Sequence, residues 1–218
     1  ELLVRRNFYG EIKVFESPME IHGHVYPPRY LYHGTTTHGI QIIDKKYETT
    51  PTAYFTRSGP AGDIFNLYVP KTIAVIGLGA GTMNCFSTPQ SEFTFFEIDP
   101  AVIDVASDPK YFTFLSACKG KTPPRIIPGD GRLEMARLPD KFDLIVLDAF
   151  SSDTIPAHLL TIDAINVYLS HLNKRGMLLF NLSNRYATLG NAVARNASDI
   201  GLKYGFNYDE ASDTPYGS

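Results

Sequence analysis

Thr72-Ile73-Ala74-Val75-Ile76-Gly77-Leu78-Gly79-Ala80-Gly81, followed by Phe93-Thr94-Phe95-Phe96-Glu97-Ile98-Asp99, reads as strand, glycine turn, short helix, strand and acidic tip. A strand that turns sharply into a helix needs backbone angles that a Cβ disfavours. Bare main chain at Gly77, Gly79 and Gly81 also lets a ligand come close. A carboxylate about twenty positions further on can accept hydrogen bonds from ribose hydroxyls. Glu97, directly after the apolar run, is the first candidate for that role and Asp99 the alternate. A glycine pattern alone also fits a plain tight turn. The flanking strand and the second acidic strand end turn it into a nucleoside-binding reading.

Outward from this unit, the pattern repeats. Strands are expected at 72–76, 93–97, 125–127, 142–147 and 177–182, and helices at 82–87, 101–108, 133–138, 163–172 and 190–200. Such alternation predicts an α/β domain with a mainly parallel sheet and ligands at the carboxyl ends of its strands. The polar signals fall at those ends: Gly77–Gly81, Glu97 and Asp99, Gly129-Asp130-Gly131, Asp148, and Asn181-Leu182-Ser183-Asn184-Arg185. Residues 1–70 differ. Short β-like runs at 7–16, 29–33 and 39–43, separated by Ser17-Pro18, Pro27-Pro28 and His33-Gly34, predict a small antiparallel β domain. A short helix at 63–68 precedes the catalytic domain of residues 71–218.

The bulk properties narrow the class. The chain has 218 residues and a net charge of -3, so no basic surface argues for nucleic acid. No apolar run reaches the roughly 18 residues that span a bilayer, and no signal peptide is visible. The first residue is Glu1 rather than Met, which reads as a piece of something longer. Cys85 and Cys118 lack metal-site spacing and are expected as reduced thiols of a cytoplasmic protein.

Three stretches carry the chemistry. Asp130 between two glycines can accept an adenine amino group, with Gly131 keeping the wall thin; a polar turn is the plain reading. Leu144-Ile145-Val146-Leu147-Asp148 delivers a carboxylate from a fully apolar strand to the edge where a cofactor's reactive end belongs, and Asp153 follows in the loop. Such a pair suits a cationic substrate, and one member can serve as a base toward an attacking nitrogen. A helix cap is the plain alternative for Asp148, and ordinary loop composition for Asp153. His33-Gly34-Thr35-Thr36-Thr37-His38-Gly39-Ile40-Gln41 forms a polar wall or a hairpin loop. Its histidines lack metal-ligand spacing, so no metal is expected.

These residues resemble the spermidine synthase family of polyamine aminopropyltransferases. The likeness is in order from about Asn7 to Tyr186, most of the chain. It is closest to the branch often joined to a membrane transporter-like segment, through 33–41, Leu147–Asp153 with Ile155-Pro156, and Asn181–Tyr186. The resemblance implies an amino-terminal β-sheet over a seven-stranded catalytic domain of methyltransferase-like Rossmann fold, a homodimer, and a nucleoside donor, decarboxylated S-adenosylmethionine or S-adenosylmethionine itself. It implies that Gly77, Gly79, Ala80 and Gly81 line the donor, Glu97 holds its ribose, Asp130 and Gly131 its adenine, and Gln41 lies at the sulfonium side. Asp148 would take the proton of an acceptor amine, with Asp153, Tyr54 and His38 as acceptor contacts, and methylthioadenosine would leave.

Three positions depart from the polyamine-making members. Ala80 stands where they carry an Asp that grips the donor's aminopropyl nitrogen. Tyr54-Phe55-Thr56 lacks the His and Glu of their Tyr-His-Glu, and the loop after Asp148 is spaced differently. Loss of the carboxylate at Ala80 is expected to make room for the carboxylate of S-adenosylmethionine. Methyl transfer or another cofactor cleavage, and a non-catalytic nucleoside-binding domain, therefore remain alternatives. Family members also continue past Tyr208 with a hairpin and a helix, whereas 209–218 reads as a turn-rich tail of a truncated chain.

Overall fold

A computed structural model of the chain describes residues 1–21, 23–149, 155–182 and 189–207. The run at 7–16, expected as one strand, is a turn followed by a strand. β1 (Leu3–Asn7) pairs antiparallel with β2 (Gly10–Glu16) around Phe8-Tyr9. Asn7 closes the turn by accepting the Tyr9 amide at 2.8 Å, and Gly10 takes the left-handed backbone, φ 133°, that the return strand requires. A two-stranded hairpin, β3 (Met19–Ile21) and β4 (His24–Tyr26), stands apart. β5 (Pro28–His33) and β6 (Thr36–Ile42) complete an antiparallel sheet in the order β1-β2-β5-β6. Helix α1 (Pro60–Tyr68) starts on a proline, which needs no amide partner there, and stops at Val69 in a left-handed conformation.

The second sheet is wholly parallel, as the alternating pattern predicts. β7 (Thr72–Ile76), β8 (Glu92–Glu97), β9 (Arg125–Pro128), β10 (Phe142–Leu147) and β11 (Leu172–Phe180) lie in the order β11-β10-β7-β8-β9. Between them run a 3₁₀ turn at Thr82–Phe86 and helices α2 (Pro100–Ser107), α3 (Phe114–Ala117), α4 (Gly131–Ala136) and α5 (Ile162–Ser170), with α6 (Leu189–Asp199) after β11. Five strands form this sheet among the described residues, against the seven that the resemblance implies. Residues 73–76 of β7 and 144–147 of β10 are apolar because both faces are covered there. Ile73 and Val75 join one core cluster, and Ala74 and Ile76 the other.

The boundary expected at residue 70 separates two sheets but not two cores. Ile12, Val14 and Leu31 of the amino-terminal sheet pack in one cluster with Val102, Phe112 and Val75. Polar ties cross the same seam: Arg5 to Asp104 at 2.9 Å, and Asn7 Nδ2 to Asp99 Oδ1 at 2.6 Å. The expectation of reduced thiols is overturned. Cys85 and Cys118 form a disulfide, Cα–Cα 4.9 Å. Asn84 holds the two segments together by donating to the carbonyls of Phe114 (3.1 Å) and Cys118 (2.9 Å). Residues 33 apart in sequence meet here because the 3₁₀ turn and α3 pack against each other, a contact that spacing alone does not reveal. Among the described residues, no helix is long and apolar enough to cross a membrane.

Candidate active site

Strand order places the site. From β7 the chain moves outward to β8 and β9; β10 returns to the other side of β7 and β11 follows it. The order therefore reverses between β7 and β10, and in open parallel sheets ligands bind in the crevice at that point. The ladder continues one residue past the strands: Gly77 donates to Phe96 O, Asp148 to Ile76 O and Asn181 to Leu147 O, at 2.8, 2.8 and 3.0 Å. Gly77 and Asp148 thus stand side by side. A Cβ on Gly77 would collide with the Asp148 carbonyl, so the glycine is required by the neighbouring strand as well as by its φ of 100°.

A cleft opens above these tips. Gly77, Gly79, Glu97, Asp130, Gly131 and Asp148 line it. A narrow recess adjoins it, walled by Tyr54, Thr52, Thr82 and Met83, and His38 and Asp148 border both spaces. The structure therefore brings together most of the residues singled out in the sequence, from both sheets.

Each carboxylate meets a different environment. Glu97 accepts the amides of Leu78 and Asp99, both at 2.9 Å. Burial raises its pKa, while the amides of Asp99, Leu78 and Ile98 pull it down. Asp99, the alternate ribose candidate, caps α2 through Ala101 N at 2.8 Å and holds Asn7. Asp130 caps α4 through Leu133 N at 3.0 Å, and its other oxygen pairs with His158 at 3.0 Å. Asp130, for which a polar turn was the plain reading, is thus a helix cap on one oxygen and a partner of His158 on the other.

Asp148 is 8% exposed. Its Oδ1 accepts the Asn181 amide at 2.8 Å, and its Oδ2 lies 3.5 Å from the Tyr54 hydroxyl. Burial dominates and pushes its pKa up to about 8, with the Glu97 charge adding and the Asn181 and Tyr54 hydrogen bonds opposing. Burial, then the Asp148 charge, drives the Tyr54 phenol well above its usual range. Asn181 appeared in the sequence only as part of a polar strand tip; its hydrogen bond to Asp148 follows from β11 lying beside β10.

Three expected contacts fall elsewhere. Gln41 does not reach the cleft: it is fully buried, donating to Thr113 Oγ1 at 2.8 Å and Glu48 O at 3.0 Å and accepting Thr113 N at 2.8 Å. It ties β6 to the start of α3. Gly81 turns toward the Leu115 side chain, at φ 86°. Ala80 is 1% exposed, because Gly39 of β6 packs directly on it. The room expected from its missing carboxylate is filled by strand β6, whose His38 carbonyl accepts the Ala80 amide at 3.3 Å. Asp153 and residues 183–186 lie outside the described residues. So does His22, and no group of metal-holding side chains occurs among the described residues.

No family model matches the chain. The polyamine aminopropyltransferase of Vibrio vulnificus is 30% identical over 164 residues, covering 72% of this chain and 52% of that protein. This chain therefore spans about half the length of that curated relative. A probable spermidine synthase from Corynebacterium glutamicum shares the fold with a TM-score of 0.63 at 18% identity, over 84% of this chain and 64% of that one. Human methyltransferase-like protein 13 in complex with SAH follows at 0.50 and 23%, over 62% and 65%. The sequence likeness to a polyamine aminopropyltransferase supports the spermidine synthase family, and the solved structures share the fold.

Proposed function

We propose that this chain carries the donor site and base of an aminopropyltransferase, moving an aminopropyl group from decarboxylated S-adenosylmethionine to an amine and releasing methylthioadenosine. The observation that carries this reading is Asp148, a buried carboxylate at the switch point, bordering both the glycine-lined cleft and the narrow recess beside Tyr54. Gly77 and Gly79 offer main chain to the nucleoside, Glu97 its ribose partner and Asp130 its adenine partner. Tyr54 and His38, beside Asp148, are the acceptor-side contacts, with Asp153 as a further one from the following loop.

The chemistry follows from charge. An alkylamine has a pKa near that of lysine, roughly 10.4, and reaches the site protonated. Its proton passes to the Asp148 carboxylate. The nitrogen lone pair then forms a bond to the carbon beside the sulfonium, and the C–S pair moves onto sulfur, leaving a neutral thioether. Alignment in the closed cleft supplies much of the acceleration. The test is release of methylthioadenosine from decarboxylated S-adenosylmethionine with a panel of diamines. No release with any amine would refute the assignment.

A second reading, S-adenosylmethionine-dependent transfer, is favoured by one observation. Ala80 presents no carboxylate to the donor's ammonium, and β6 covers its side chain. Calorimetry with both donors separates the two, since a clear preference for the decarboxylated form removes the second.

A further inference from the structure

Among the described residues, Asp148 has no cationic neighbour. It takes part in no ion pair, and its partners are the Asn181 amide and the Tyr54 hydroxyl. The titratable groups that face it come from three elements. Glu97 at the tip of β8 is a second carboxylate, Tyr54 before α1 is a phenol, and His38 of β6 borders the same two spaces. Farther along the cleft, His158 and Asp130 are paired with each other. A buried carboxylate without a counter-cation is costly, and it escapes the cost by keeping its proton. Its pKa of about 8 expresses that escape. Burial and neutral hydrogen-bond partners therefore favour the protonated carboxyl of Asp148 in the ligand-free site.

An arriving cation reverses the balance, since an opposite charge within about 4–6 Å lowers a carboxyl pKa by roughly 1–3 units. An ammonium can answer by giving up its own proton. A sulfonium carries no proton to lose, so the carboxyl group must ionise instead.

We propose that the cleft reads the charge of its nucleoside: a sulfonium expels the proton of Asp148 and is held by the carboxylate, whereas the neutral thioether lets Asp148 regain a proton and is released. This rests on the donor being the sulfonium nucleoside of the function proposed above. On donor binding, the Asp148 proton goes to solvent. The acceptor ammonium then protonates the carboxylate, its nitrogen attacks, and the C–S pair neutralises sulfur. The total charge of acceptor, donor and Asp148 is the same before and after. Donor thus prepares the base for the acceptor, and the base is ready only when a donor is present.

The test is calorimetry on the whole chain with decarboxylated S-adenosylmethionine and with its demethylated thioether. Both are titrated in phosphate and in Tris, which differ in ionisation enthalpy. At pH 7 the sulfonium is expected to bind about tenfold or more tightly than the thioether, with close to one proton released per site, and the thioether with none. Proton release should fall toward zero by about pH 9.5, where Asp148 is already ionised in the free protein; this arm needs no variant. In Asp148→Asn the preference should collapse while the thioether still binds. Equal affinities without buffer-dependent heat, or unchanged proton release in the variant, would overturn the proposal and leave the functional reading standing. Binding of neither nucleoside would overturn both.

Discussion

The two ends of the cleft use the same residue types and treat them in opposite ways. At the β8–β9 end, Glu97, Asp99 and Asp130 each accept backbone amides. At the β7–β10 end, the hydrogen-bond partners of the Asp148 carboxyl among the described residues are the neutral side chains of Asn181 and Tyr54. Main-chain N–H groups favour the charged form of a carboxylate, and a desolvated pocket favours the neutral one. The first end is built to hold a ligand; the second is poised to exchange a proton. A carboxylate at a parallel-strand tip therefore has no fixed role until its donors are known.

The strongest way to break this contrast is Asp148→Asn. Transfer is expected to fall about 10²–10⁴-fold, the usual contribution of a positioned base, measured as methylthioadenosine formed in a single turnover. The same variant tests stability. Asp148 has a raised folded pKa of about 8, so the folded chain holds a proton that the unfolded chain loses near pH 4. Stability from this group is full below about pH 4 and is lost as pH rises to about 8. Wild type should therefore lose melting temperature relative to Asp148→Asn between pH 5 and 8.5. Parallel curves would show that Asp148 is not buried as a neutral acid.

The disulfide sharpens the contrast from the other side. The loop it closes, residues 85–118, contains β8, Glu97 and α2 but not Asp148. Reduction, or replacement of both cysteines by serine, is expected to cost about 2–4 kcal/mol of stability and to weaken nucleoside binding. The pH dependence set by Asp148 should be unchanged, which denaturation and pH–rate profiles measured with and without reductant would check. Glu97→Gln comes next. An amide cannot accept from both Leu78 and Asp99 without turning its own donor toward one of them, a loss of about 1–3 kcal/mol visible in denaturant midpoint and donor affinity. The smallest effect is expected for His158→Ala. Its exposed pairing with Asp130 is worth at most about 1 kcal/mol. Freeing that oxygen for an adenine amino group should tighten donor binding less than about fivefold, read by titration calorimetry.

Much of this architecture was legible from local pattern. Apolar runs ending in glycine or acid predicted the five parallel strands and the edge where the cleft opens, because the central strands are buried on both faces along most of their length; the polar start of β11, Asn173-Lys174-Arg175, fell outside the strand expected at 177–182. The first strand of the amino-terminal sheet and the hairpin at 19–26 were missed. Both are short, and neither shows a clean alternation. Gln41 was placed at the donor's sulfonium side by the family resemblance, which carries over a position and not its partners. Its partner, Thr113, lies 72 residues away and comes near only when β6 docks on α3. The cysteine pairing escaped for the same reason. Ala80 was read as a gap, and it is a contact: the missing side chain lets Gly39 of another sheet come down onto the turn.

By itself the sequence determined the class of fold, the order of the strand tips and the kinds of group offered there, since these depend on periodicity and on backbone angles that glycine alone adopts easily. Tertiary structure alone decided which carboxylates accept main-chain amides and which meet side chains, which polar residue faces the cleft, and whether position 80 is open or sealed. Those properties depend on desolvation and on hydrogen-bond donors brought from distant parts of the chain, and no local pattern encodes them.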